Sequence, residues 1–283
     1  MGAHPSSEIT MIDDGGGYRV SWTAQPTTTH VMPAMPSAAM PSPAMPSPSM
    51  PPPPVSRSTA RMVVAPRFVP APVPRSFWCA LDPRLAILAD PDSARAEGFR
   101  RLRDGVLARG MPRVLAVTSP ERGDGKTTCI ANLAFAFAEQ RPREKILLLD
   151  GNFVAPALAA LFSIDEYVQP APAHDAPWCA PFALTSLTPR LDLATLVLRR
   201  GEALPRVEHD DLARLLASFF RAGYDRVLLD TPALEGSPAV SRLLGVADGV
   251  LVAVRAGHTS GRAVRRAVDQ IGAGKMLGAA LMD

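Results

Sequence analysis

No run of apolar residues in this sequence approaches the roughly 18–20 that a membrane-spanning helix needs; the longest, such as Ile146–Leu149 and Val250–Val254, have the length of strands. Direct insertion into a membrane is therefore not expected. Met1–Thr10 lacks both a basic stretch and an apolar core, so no secretory signal is read there and the expected setting is cytoplasmic. Cysteine is scarce. Cys79, Cys129 and Cys179 stand without metal-ligand or redox spacing, and an odd number of scattered thiols reads as reduced packing residues. An excess of one charge is lacking too: 30 lysines and arginines face 27 acids, a net charge of +3, a balance too even for a nucleic-acid surface.

Proline is what the chain has in excess, and it is unevenly placed. There are 30 prolines, and Met32–Pro54 reads MPAMPSAAMPSPAMPSPSMPPPP, a loose repeat of Met-Pro units. Such a segment has no aromatic or branched apolar residues to build a core, and proline removes backbone donors, so extended polyproline II and coil are expected. Residues 1–76 are read as a disordered arm, either a ligand for a proline-recognising domain or a solvated spacer. Deleting residues up to about Pro74 is expected to leave stability nearly unchanged.

From residue 77 to residue 283 short apolar runs alternate with helix-period segments, the order of βαβ units. The expected fold is α/β, a doubly wound and mostly parallel sheet of the P-loop type. Strands are expected at Val114–Thr118, Ile146–Asp150, Leu191–Leu198, Arg226–Asp230, Gly249–Val254 and Met276–Met282, because nearly continuous apolar runs suit strands buried on both faces. Helical stripes run through Ile130, Leu133 and Phe137; through Leu212, Leu215, Leu216 and Phe219; and through Val264, Ala267, Val268 and Ile271. Ser163–Pro189 shows no clear period and reads as an irregular connection.

The most informative stretch runs from Val114 to Thr128, a strand entering Ser119-Pro-Glu-Arg-Gly-Asp-Gly-Lys-Thr-Thr128 and then an amphipathic helix. It looks like a P-loop, with Pro120 where the strict pattern wants glycine. Gly123 and Gly125 allow a tight turn whose amides, with that of Asp124, face a polyphosphate, and the helix adds the positive end of its dipole. Lys126 would reach the β and γ phosphates, Thr127 would place its hydroxyl on Mg²⁺, and Thr128, counted with this nucleotide-binding loop, is read as capping or packing. Two further apolar strands end in carboxylates, Asp150 and Asp230, and ligands of open α/β sheets bind beyond such ends. Asp230 suits the acid that holds Mg²⁺-bound water, and Asp150 could take a proton from an attacking hydroxyl or steady the metal; the alternative for both is a strand-end acid that caps the next helix.

These residues together resemble the bacterial tyrosine kinases (BY-kinases) of capsule and exopolysaccharide synthesis, within the ParA/MinD-like P-loop ATPases. Val117–Thr128 is similar to their Walker A segment, Ile146–Asp150 to their Walker A′ strand, Tyr224–Pro232 to their Walker B, and Ala247–Thr259 to the strand and turn that follow. The resemblance implies ATP and Mg²⁺ as cofactors and phosphoryl transfer to protein tyrosine, with Lys126, Asp150 and Asp230 as catalytic residues. It also implies regulation of polysaccharide synthesis or export from the cytoplasmic face of the inner membrane, through a membrane-bound co-polymerase acting in trans. Glu97, Arg100 and Arg103 match the E-x-x-R-x-x-R spacing by which the family forms rings. At about 100° per residue these three fall on one third of a helix, away from an apolar stripe of Phe99, Leu102 and Val106, so a free charged face is expected.

The chain also departs from the family. Asn152 stands where a second acid is usual, and no tyrosine cluster follows the last strand; Tyr18, Tyr167 and Tyr224 are the sequence's tyrosines. A nucleotide-dependent regulator without kinase output is therefore one alternative. A ParA/MinD-like ATPase is another, disfavoured by Glu121 where such proteins carry a second signature lysine.

Overall fold

Runs without polar interruption can be buried on both faces only in the interior of a parallel sheet, and the computed structural model places them there. It describes residues 71–72, 78, 81–153, 155–164, 182–196, 209–235 and 238–283. The Met-Pro arm, Cys79, Cys179, Tyr18 and Tyr167 lie outside these.

The described elements are, in order, β1 (Ala71–Pro72), α1 (Ala86–Ala89), α2 (Ala94–Ala108), β2 (Val114–Thr118), α3 (Lys126–Gln140), β3 (Ile146–Asp150), α4 (Leu158–Leu161), β4 (Phe182–Thr188) and β5 (Leu191–Leu196). They continue with α5 (His209–Arg221), β6 (Arg226–Asp230), α6 (Pro238–Val246), β7 (Gly249–Arg255), α7 (Gly261–Ile271) and β8 (Met276–Met282). The strands form one sheet in the order β1-β4-β5-β3-β6-β2-β7-β8, parallel throughout except between β4 and β5.

Alternate residues of each central strand serve opposite layers. Leu115, Val117, Ile146, Leu148 and Leu228 pack with α1 to α4, while Val114, Ala116, Leu147, Leu149 and Leu229 pack with α5 and α6. Helices therefore cover both faces, as a doubly wound sheet requires. β2, β3 and β6 are buried at every position. Their bounds coincide with the sequence reading, and so do those of β8.

The differences lie at the sheet's edge. β4 falls inside Ser163–Pro189, the stretch read as irregular, and forms a hairpin with β5 whose register shifts between Ser186 and Thr188. Its sequence, Phe-Ala-Leu-Thr-Ser-Leu-Thr, mixes apolar residues and hydroxyls, because one neighbour is a bulged antiparallel partner and the other only two residues of β1. β1 itself lies upstream of the boundary at residue 77, and β5 ends at Leu196. Because β1 pairs with β4, deletion to Pro74 removes a strand of the sheet as well as the arm.

Candidate functional site

In register, Asp150 at the end of β3 stands opposite Asp230 at the end of β6, and Asp230 stands opposite Val117 of β2. The order β3-β6-β2 therefore brings both acids and the loop after β2 to one edge of the sheet. That loop is braced by the chain leaving β6. The amides of Thr231 and Leu234 donate to the carbonyls of Val117 (3.2 Å) and Ser119 (2.8 Å), and the Thr118 hydroxyl donates to the Pro232 carbonyl (2.9 Å). Gly123 (φ +90°) and Gly125 (φ +84°) occupy the left-handed region, where a side chain is strained. Gly125 is also the N-cap of α3 and has no side chain to accept from the helix's first amides. Those donors are left for an external acceptor, the arrangement that holds phosphate at a helix start.

Thr127 and Asp230 lock the helix start to the strand end, the Thr127 hydroxyl donating to Asp230 Oδ2 at 2.7 Å. Asp230 is fully buried, and its Oδ1 has no hydrogen-bond partner. Burial, with the Asp150 charge beside it, pushes the Asp230 carboxyl up to about 7; Lys126 and the Thr127 hydrogen bond pull the other way. No trio of His, Cys, Asp or Glu among the described residues could hold a metal by itself. A hydroxyl and one carboxylate with a spare oxygen, beside the amides at the start of α3, nevertheless fit Mg²⁺, which takes its remaining oxygens from phosphate and water. Thr127 and Asp230 would hold it.

Asp150 is differently placed. Its Oδ1 accepts from the Asn152 amide (3.1 Å), and its Oδ2 accepts from the amides of Ala157 and Leu158 (3.0 Å each), the latter opening α4. This is the helix-cap arrangement among the readings the sequence leaves open, and a base or metal-ligand role would be a second duty of the same carboxylate. Burial raises its pKa against those three hydrogen bonds and Lys126. Gly151 is the residue that sequence reasoning missed here: a Cβ on it would come within 2.7 Å of the Asp230 carbonyl. Its position directly after a strand-end acid was the available signal.

The Asp124 side chain is fully buried, its Oδ2 accepting from the Glu121 amide (2.9 Å) and its Oδ1 from the Thr259 hydroxyl (2.7 Å). The nucleotide contact expected of Asp124 is one of its main-chain amide. Thr128 is half-buried, and its carbonyl accepts from Asn132 Nδ2. One expectation needs correction: the charged face of α2 is not free. Arg103 is 8% exposed and donates to the Ala136 carbonyl of α3 (3.0 Å) and to Asp104 (2.9 Å), while Arg100 is paired with Glu139 of α3 (3.0 Å). Glu97 does face solvent, paired with Arg101. The helical wheel is correct, but α3 packs where the sequence left solvent. Arg103→Glu should therefore lower folding stability by about 3 kcal/mol, since it buries an unpaired charge, whereas Arg101→Glu should be near neutral; urea unfolding of both variants measures this.

Tyr224 is buried, its hydroxyl donating to Asp192 (2.6 Å) beneath the Lys145 ammonium, so it serves structure as expected. Cys129 is a buried free thiol pushed up to about 12 by burial, hence unreactive. No helix among the described residues is long and apolar enough to cross a membrane.

No protein-family model matches the chain. Among curated proteins it is similar to the tyrosine-protein kinase YwqD of Bacillus subtilis (strain 168), 28% identical over 216 residues that cover 68% of this chain and 82% of that protein. Among solved structures its fold is similar to the chimerical protein CapA2B2, with a TM-score of 0.57, 21% identity, and coverage of 71% of this chain and 89% of that one. It is also similar to the kinase domain of the Escherichia coli tyrosine kinase ETK, with a TM-score of 0.52, 19% identity, and coverage of 70% and 78%. The resemblance to bacterial tyrosine kinases drawn from the motifs thus extends to sequence and fold over about two thirds of the chain.

Proposed function

We propose that this chain binds Mg·ATP at the loop Ser119–Thr128 and transfers the γ-phosphoryl group to tyrosine, as a kinase of the BY type acting on polysaccharide synthesis or export. The observation that carries the reading is the Thr127–Asp230 hydrogen bond with the second Asp230 oxygen unpartnered. It joins the phosphate loop to a carboxylate that still needs a ligand. Mg²⁺ bound there would neutralise charge on the phosphates. Lys126 and the loop amides would add donors to the same oxygens, so that positioning and electrostatics supply most of the rate. The similarity to YwqD supports tyrosine as the acceptor. Self-association into a ring and activation in trans by a membrane co-polymerase are proposed from the family resemblance; of the three residues matched to ring assembly, Glu97 is the one that is exposed.

A second reading, a nucleotide-dependent regulator without kinase output, is favoured by Asn152 in place of an acid and by the three amides that hold Asp150. The two part in one experiment. The full chain is titrated with ATP in Mg²⁺ and in EDTA, then incubated with Mg·ATP and a membrane fraction holding the co-polymerase and probed for phosphotyrosine. Mg²⁺-dependent binding with phosphotyrosine supports the kinase; binding without phosphotyrosine supports the regulator. Absence of binding in Mg²⁺ overturns both.

A further inference from the structure

A carboxylate inside an anion-binding loop weakens the loop's purpose unless its charge is taken up elsewhere. Asp124 lies between the two glycines of positive φ and is such a group. Its charge is taken up by two donors, the Glu121 amide from the same loop and the Thr259 hydroxyl from the turn between β7 and α7. Thr259 is itself anchored: its hydroxyl accepts from the Arg255 amide (2.9 Å), its own amide donates to the Arg255 carbonyl (3.1 Å), and the next residue, Ser260, caps α7 through the Ala263 amide. On the loop side, the Ser119 hydroxyl donates to the Glu121 carbonyl (2.6 Å) and so extends the chain of bonds to the end of β2. Only one side chain outside the loop reaches the Asp124 carboxylate among the described hydrogen bonds, and it belongs to Thr259.

We propose that Thr259 is a positioning residue for the phosphate loop: its hydroxyl turns the Asp124 carboxylate inward and holds the loop in the shape that presents its amides to the phosphates of a nucleotide. This rests on the reading that the loop binds Mg·ATP. Without the hydroxyl, a buried carboxylate oxygen loses a charge-assisted bond. The carboxylate then turns outward to find water, bringing its charge toward the site where phosphate binds.

The test compares wild type, Thr259→Val, which removes the hydroxyl at nearly constant volume, and Thr259→Ser, which restores it. Affinity is read by titration with a fluorescent ATP analogue in Mg²⁺, loop order by amide hydrogen exchange of the nucleotide-free protein, and folding by thermal melting. Thr259→Val should bind about ten-fold or more weakly and exchange faster at the Glu121 amide, with melting close to wild type, and Thr259→Ser should match wild type in all three. Unchanged affinity and exchange in Thr259→Val overturn the proposal. So does loss of the whole fold in that variant, or a serine variant as impaired as the valine one, since either makes Thr259 a part of the scaffold and not a support of the loop. If wild type itself does not bind the analogue, the functional reading fails, and exchange at Glu121 alone decides whether Thr259 holds the loop.

Discussion

Lys126→Met is expected to weaken Mg·ATP binding on the order of 100-fold or more, since in the proposed site the side chain would supply a charged donor to two phosphates at once, and to leave the protein folded. Lys126 is the first residue of α3 and half-buried. It lies close enough to both acids to oppose the rise in their pKa values. Its removal therefore deepens the excess of negative charge at the strand ends, which further repels the nucleotide. Little core is lost, because the stripe that anchors α3 starts at Cys129 and Ile130. Isothermal titration with Mg·ATP beside a thermal melt checks both halves. Unaltered affinity would falsify the P-loop assignment.

Asp230→Asn will separate the folding cost of the site from its metal chemistry. In the nucleotide-free protein the Asp230 carboxyl is raised from 3.8 to about 7. Between those values the folded state holds a proton that the unfolded chain has released, so stability falls as pH rises through that window and levels off above about 7. Asparagine carries no such charge. The variant should match wild type near pH 4 and exceed it above pH 7 by up to about 4 kcal/mol, as read from urea unfolding at pH 4 and pH 8. Nucleotide binding should move in the opposite direction. If Asp230 holds Mg²⁺ as proposed, it does so ionised, so wild-type affinity for Mg·ATP should climb as pH rises through about 7 and the variant should bind equally in Mg²⁺ and EDTA. A wild type whose stability shows no pH dependence in this window would place Asp230 in a wetter setting than the fold shows. An asparagine variant that still responds to Mg²⁺ would remove the acid from the metal site.

Most of the sheet was legible because its central strands are buried on both faces, and such strands must be written as unbroken apolar runs. Val114–Thr118, Ile146–Asp150 and Arg226–Asp230 could be bounded to the residue for that reason. The candidate site was legible on the same grounds: its glycines, Lys126, Thr127 and Asp230 sit where those runs stop, and strand ends are positions that sequence marks. β4 was not legible. An edge hairpin with a shifted register imposes neither a continuous run nor a strict alternation.

What the sequence determined by itself, then, is local to the centre of the sheet: which unbroken apolar runs become strands, where the chain turns back through glycine, and which acids stand at strand ends. The tertiary structure alone decided which polar side chains are still free. Glu97, Arg100 and Arg103 share one third of a helix by arithmetic, yet Arg103 is spent on a main-chain carbonyl of α3 that no helical wheel displays. Asp124 reads as part of a nucleotide loop, yet its carboxylate is held by Thr259, 135 residues further along. Local periodicity is a property of consecutive residues, whereas burial of a charge depends on which distant backbone arrives with a matching donor or acceptor, and that is settled only when the layers pack.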